Sequence, residues 1–202
     1  MKFMNVLIVV AIISVSLAGI NLILTIDKIQ NAKSITGFAT GTGTANLSVS
    51  AAASISFNHS LINWGGGSVD ETPSFATLDT EGNVVGGTWS ALTGGLTVQN
   101  DGNTNVTLNI SSSNDATDFI GGSAGEGPVY RIRVVENKTG TCSAGTVYPS
   151  TYTTFNTTPI IICNNMSSDS SMNLLTIHIN ITVPEDALGT KGSIITATAT
   201  AI

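Results

Sequence analysis

Charge is scarce in this chain. Asp, Glu, Lys and Arg make up 10% of 202 residues, and only seven are Lys or Arg, leaving a net charge of −6. With no basic patch, nucleic acid is excluded as a partner class. Aromatic residues are 5%, and the two histidines are His59 and His178. Nucleophilic chemistry of the Ser/His/Asp kind therefore rests on two positions, each at or in a strand-like stretch. The two cysteines, Cys142 and Cys163, form no CxxC pair, and both histidines are distant in sequence. That disfavours a metal site, and no motif calls for a cofactor. Low charge does not mean disorder here, because Val, Ile and Thr recur at strand-like spacing.

What is present divides sharply. Met4 to Ile26 (MNVLIVVAIISVSLAGINLILTI) carries no charge. As a helix it would span roughly 35 Å, enough for a bilayer core. Three readings fit: a retained membrane anchor, a signal peptide cleaved after Ala18 in Ser16-Leu17-Ala18, or a helix in the apolar centre of a filament. Apolar character continues past Ala18 through Ile20, Leu22, Ile23, Leu24 and Ile26, which favours retention. Lys2 on one side and Lys28 and Lys33 on the other leave orientation open. The expected organisation is an N-terminal helix over 1–34, a Gly/Thr linker over 35–44, and an extracellular β domain over 45–202.

The β domain announces itself by alternation. From Asn46 to Asn58, Leu47, Val49, Ala51, Ala53, Ile55 and Phe57 share one face, which predicts a half-buried strand. Leu61 to Asp70 ends an apolar tetrad in Gly65-Gly66-Gly67, a turn or bulge beside Trp64. It lacks the Lys-Ser/Thr of a phosphate loop. Phe75–Leu78 and Gly87–Leu92 read as short strands. Leu96–Ser111 reads as a hairpin turning at Asn100-Asp101-Gly102-Asn103. That turn lacks the further acids a calcium loop needs. Tyr130–Val135, Pro159–Cys163, Leu175–Val183 and Ile195–Ala201 complete the strand set. No amphipathic helix is expected after Ser34. The predicted fold is mainly β: an N-terminal hydrophobic helix followed by an antiparallel β-sandwich, Ig-like or jelly-roll.

Candidate sites are few. Cys142 and Cys163 would pair in an extracytoplasmic setting, closing a loop worth roughly 3 kcal/mol. Asn-x-Ser/Thr begins at Asn46, Asn58, Asn105, Asn109, Asn137, Asn156, Asn165 and Asn180, a modest excess over chance. In the clearest strands Asn46, Asn58, Asn105, Asn109 and Asn180 oppose the apolar face, where a glycan would enter solvent. Carboxylates for glycoside hydrolysis would have to come from Asp70, Glu71, Asp79, Glu81, Asp115, Asp118, Glu126 or Glu185, all in Gly- or Ser-rich loops. Catalytic residues are therefore assigned to none.

An apolar N-terminal segment followed by a Thr/Asn/Gly-rich sandwich resembles small archaeal cell-surface proteins, both anchored ectodomains and pilin or archaellin subunits. LTVQNDGNTNVTLNIS (Leu96–Ser111) and VPEDALGTKGSIITATATAI (Val183–Ile202) resemble strand phrases of TasA/camelysin-type fibre sandwiches. The resemblance implies a non-enzymatic surface structural protein, membrane-tethered or polymerised, with lipid or copies of itself as partners. In a filament, either the helix packs in a core or a processed strand around Ala45–Phe57 completes a neighbour's sheet. An adhesin or glycan-binding module using loops around Trp64 and Trp89 is the alternative, and a secreted soluble sandwich is the third.

Overall fold

The computed structural model describes residues 2–33, 47–143 and 147–202. Asn46 and the expected linker over 35–44 lie outside them. The chain divides into two units, Met1–Ser48 and Val49–Ile202.

In the first unit, helix α1 runs from Lys2 to Lys33. The side chains of residues 8–26 are all exposed, Ile and Val included. A helix apolar on every side suits lipid or a protein core, not water. Its few hydroxyls are spent internally: Ser14 donates to Val10 O (2.9 Å), Ser16 to Ile12 O (2.8 Å) and Thr25 to Asn21 O (2.7 Å). Such back-bonding leaves no hydroxyl proton unsatisfied in an apolar surrounding.

The second unit is two antiparallel sheets on one core. The larger is built on β9 (Leu174–Pro184). Along one side of β9 lies β6 (Val129–Glu136), with β7 (Thr153–Thr154) beyond it. Along the other side two strands share the edge. β4 (Leu96–Asn100) takes the first part, and β2 (Phe75–Asp79) the last. β1 (Ile55–His59) lies outside β4, and β3 (Val84–Val85) outside β2. The gap between β4 and β2 falls at Ile179, and Thr80 fills it. The Thr80 N–H donates to Ile179 O (3.0 Å), and its hydroxyl accepts from Ile179 N (3.0 Å). One fully buried side chain thus replaces a missing ladder rung.

The smaller sheet is β10 (Ile195–Ala201), β5 (Val106–Ser112) and β8 (Ile160–Met166), in that order. Strict alternation drives it. Val106, Leu108 and Ile110 are buried, and Thr107, Asn109 and Ser111 face out. Tyr130 and Phe155 meet edge-on in the core at 5.2 Å, with Phe119 on the other side of Tyr130 at 5.0 Å.

Four expectations need correction. β4 and β5 are not a hairpin, because they belong to different sheets. Leu96 and Val98 face Val106, Leu108 and Ile110 across the core, so the Asn100–Asn105 connection must cross the thickness of the sandwich. The strand over 46–58 is real only as β1; residues 47–54 form no strand. Their backbone finds only a loop to pair with. Asp101 N donates to Ser54 O, Asn103 N to Ala52 O, and the Asn103 side chain to Ser50 O. Gly102 permits this approach, since a Cβ there would lie 2.3 Å from Ala52 O. Gly87–Leu92 contributes one bridge, Val69 to Gly87, while the short strand is Val84–Val85. Finally, one short helix follows Ser34: α2, Ala116–Phe119, capped by Asp115, whose carboxylate accepts from Asp118 N at 2.9 Å.

Candidate functional site

Two features of the β domain have the character of a site. The first is a cleft of about 890 Å³ between the sheets, at the end where loops 60–69 and 185–193 lie. Trp64, Trp89, Leu96, Tyr130, Ile179 and Ile195 line it. The glycine run is what shapes its wall. A Cβ on Gly67 would fall 2.3 Å from the Trp89 ring, so the glycine lets backbone lie flat on the indole. Trp64 Nε1 donates to Asp79 O at 3.4 Å. Asp79 is itself buried and holds the turn after β2, accepting from Glu81 N and Asn83 N at 2.9 Å each. Asp79 is thus a strand-end residue with a structural task, not a loop acid. Across the cleft mouth, Asp186 accepts from Ser123 N (2.9 Å) and Ala124 N (3.0 Å), and these backbone bonds hold its carboxyl below the usual range.

The second feature is a polar cluster on the outer face of the larger sheet. Arg133 and His178 are cross-strand partners on β6 and β9. Glu81 pairs with the Arg133 guanidinium and accepts from the Tyr152 hydroxyl at 2.7 Å. The guanidinium lies over the Tyr152 ring, 5.7 Å from its centre. Burial, with Glu81 adding to it, pushes the Tyr152 phenol well above its ordinary value. The cluster escaped sequence reading because Glu81, Arg133 and Tyr152 come from three separate elements.

His178 is half-buried there, and burial lowers its pKa, with Arg133 adding and Glu81 opposing. Its Nδ1 lies 3.2 Å from Thr80 Oγ1, the oxygen that already accepts from Ile179 N. Which of the two donates in that contact follows the imidazole tautomer, since a hydroxyl can accept twice. With its pKa lowered, the folded state binds fewer protons than the unfolded one below the ordinary histidine value. The stability it contributes is full above about pH 6.5 and is lost as pH falls through that value toward the folded pKa. A urea-midpoint series against pH is expected to show this acid loss in the native chain and a smaller one in His178→Gln.

Most of these groups are committed to one another, while the buried Arg133 Nε has no hydrogen-bond partner among the described residues. Glu81 is committed to two donors and His178 Nδ1 lies against the Thr80 hydroxyl, so the cluster ties β6 and β9 to the turn after β2. His59 ends β1, its Nδ1 2.6 Å from Gly95 O. Asp70, Glu71, Asp115, Asp118, Glu126 and Glu185 are solvent-facing, with Asp115 spent on its cap. Among the described residues, no group of three or more His, Cys, Asp or Glu is placed to hold a metal ion. The Asn100–Asn103 loop is similarly committed: Asn100 turns inward, and the Asp101 carboxylate accepts from the Ser56 hydroxyl at 2.5 Å.

No family model, curated protein or solved structure matches this chain. The site readings therefore rest on the geometry alone.

The two cysteines are joined. Cys142 and Cys163 form a disulfide with Cα atoms 5.7 Å apart, tying the loop after β6 to β8. Of the sequon asparagines, Asn58, Asn137 and Asn156 are exposed, while Asn105, Asn109, Asn165 and Asn180 are half-buried. Asn105 donates to the Asn165 amide oxygen (2.8 Å) and accepts from Ser168 N (3.0 Å). A glycan on Asn105 would replace one hydrogen of the donating Nδ2, and on either residue it would have to leave a half-buried position. Site-resolved mass spectrometry of native protein is expected to find Asn58, Asn137 or Asn156 occupied ahead of Asn105 and Asn165. Occupancy concentrated on the latter pair would contradict this. Asn46 lies outside the described residues.

Proposed function

We propose that this chain is a non-enzymatic structural protein of a prokaryotic cell surface, its β domain displayed outside the membrane by the apolar helix. The observation that carries this is Ile8–Ile26, 19 residues long and exposed throughout, joined to a disulfide-bonded β domain. Disulfides persist in oxidising compartments, so the bond favours an extracytoplasmic β domain. A span of that length favours retention in lipid or in a filament core. Surface placement, polymerisation and an archaeal source are part of the proposal, as is the absence of catalysis.

Alkaline carbonate extraction of cells expressing the full chain tests it. The native chain is expected in the membrane pellet, and Leu17→Arg with Ile13→Arg is expected largely in the supernatant. One arginine at a helix centre costs about 2.5–3.5 kcal/mol on insertion scales. Native chain released by carbonate would count against tethering.

One observation favours a second reading, a glycan- or solute-binding module: Trp64 and Trp89 both line the cleft. Quenching of tryptophan fluorescence by a soluble oligosaccharide, lost in Trp89→Ala, would support it.

A further inference from the structure

An open sheet edge invites pairing, and proteins usually blunt one by shortness, charge, a bulge or a covering loop. The other edge strands of this domain are managed in those ways. β3 and β7 are two residues each. β1 carries a bulge between Phe57 and His59. β8 is covered by the disulfide loop: Ser143 N donates to Asn165 O, Tyr148 N donates to Ile162 O, and Cys142 bridges Met166. Among the described residues β10 is the exception. It pairs only with β5, over seven residues or about 23 Å of strand. Ile195–Ala201 (ITATATA) has no charge and no proline, and its register with β5 is unbroken.

The ladder decides which groups are left open. Ser113 N donates to Ile194 O and Ile202 N to Asn105 O, continuing the β10–β5 register at either end. Bonded pairs alternate along an antiparallel ladder, so Thr196, Thr198 and Thr200 turn their N–H and C=O toward β5. Ile195, Ala197, Ala199 and Ala201 turn theirs to the open side. The side chains divide between the same sets. The threonines are exposed on the outer face, while Ile195, Ala197 and Ala199 pack toward the core.

The segment is also its own complement. Laid antiparallel against a second copy with Thr198 at the centre, it sets Ala197 against Ala199 and Ile195 against Ala201. These are bonded pairs, and each uses groups that already face the open side. Thr196 then meets Thr200, and Thr198 meets its counterpart, as the closer, non-bonded pairs. Threonine lies beside threonine on the outer face, a favourable cross-strand pairing. A slip of one residue would set threonine against alanine on both faces, and a slip of two would shorten the ladder. No charged residue occurs from 192 to 202, so nothing in the strand repels its copy.

We infer that β10 is a self-pairing edge: two copies of this chain join their three-stranded sheets there, antiparallel and centred on Thr198. Both copies use the same edge, so the contact is isologous and closes as a dimer. The pairing goes beyond the surface reading and does not depend on α1, because every group it uses belongs to β10. A seven-residue edge is a small interface, of the class that associates weakly.

The test uses the full chain in non-ionic detergent, carrying Thr198→Cys. In a non-bonded pair the two Cα atoms lie about 4.5 Å apart, within reach of a disulfide. The native cysteines are already joined and take no part. Mild oxidation is expected to convert most of this variant into a disulfide-linked dimer. Asn109→Cys is the control, on β5 opposite Thr198 and on the same face. Three strand spacings, about 14 Å, would separate it from its counterpart, and it is expected to stay monomeric. Adding Thr196→Lys and Thr200→Lys to Thr198→Cys sets like charges opposite each other across the dyad and is expected to cut the dimer about tenfold. Thr196→Lys with Thr200→Glu sets opposite charges there and is expected to restore it. Both positions are exposed, and unchanged melting of the variants checks that the monomer is intact. Monomer alone from Thr198→Cys, equal linking at Asn109→Cys, a dimer indifferent to the two lysines, or a block that Thr200→Glu fails to relieve would each overturn the inference. Carbonate extraction reads tethering separately, so release of the native chain would sink the anchor and leave the dimer result standing.

Discussion

Replacing Cys142 and Cys163 together by alanine is expected to lower the unfolding free energy by about 3 kcal/mol and the melting temperature by about 6–12 °C. The bond joins residues 21 apart, so the reduced chain regains the freedom of a medium loop when it unfolds. Both side chains are buried, at 4% and 1% exposure, so the alanines also leave a small void beside Met166. The loop loses its covalent tie and keeps hydrogen bonds, among them Cys142 N and Gly140 N to the Glu136 carboxylate, Ser143 N to Asn165 O and Ser167 N to Thr141 O. Reductant checks the origin of the effect: it should shift the melt of the native chain and leave the double variant unmoved. An unchanged melt in the variant would mean that the loop is held by packing alone.

Asn100→Ala is expected to cost about as much, roughly 3 kcal/mol, for a different reason. Asn100 is 1% exposed at the point where the chain leaves one sheet for the other. Its amide nitrogen donates to Thr104 O (3.0 Å), Met166 O (3.3 Å) and Ser167 O (3.2 Å). Its amide oxygen accepts from Gly102 N at 3.0 Å. Alanine would remove all four of these bonds from a buried crossing, each worth about a kilocalorie or more. Asn100→Asp is expected to be worse, because a carboxylate would face the same three carbonyls. Urea titration should move the midpoint with little change in slope. A near-native midpoint would show that water or neighbours satisfy the crossing without this side chain.

Asn100 also shows where sequence reading reached its limit. Asn-Asp-Gly-Asn between two alternating runs has the same local signature whether the chain reverses within a sheet or crosses to another. The deciding fact is non-local: two of the three carbonyls that Asn100 holds come from the end of β8, more than sixty positions away. The strands themselves were legible, because β5, β9 and β10 have one wet and one dry face and alternation records that directly. The same logic over-reached at residues 47–54. There the alternation is as clean as in β5, but residues 50–54 bond to the loop at 101–103 and not to a strand, so the expected strand begins only at Ile55. The disulfide was expected only on condition of an extracytoplasmic setting, and it is the fold that brings Cys142 and Cys163 together. The Glu81–Arg133–Tyr152 cluster was not expected, because β6, the turn after β2 and the approach to β7 are brought together only by the sheet. For the cleft, Trp64 and Trp89 stood out as candidates, while its floor of Leu96, Tyr130 and Ile179 comes from three strands that betray nothing of a groove individually.

The proposed function turns on α1. A cell-surface subunit held by its helix needs Ile8–Ile26 in the mature chain, whether the helix lies in lipid or in a fibre core. N-terminal sequencing of the native protein, purified from its own membrane or surface fraction, therefore tests retention most directly. The expected result is a terminus at or before Met4, with the apolar run intact. A terminus at Gly19, following Ala18, would contradict it and make the chain a secreted β domain.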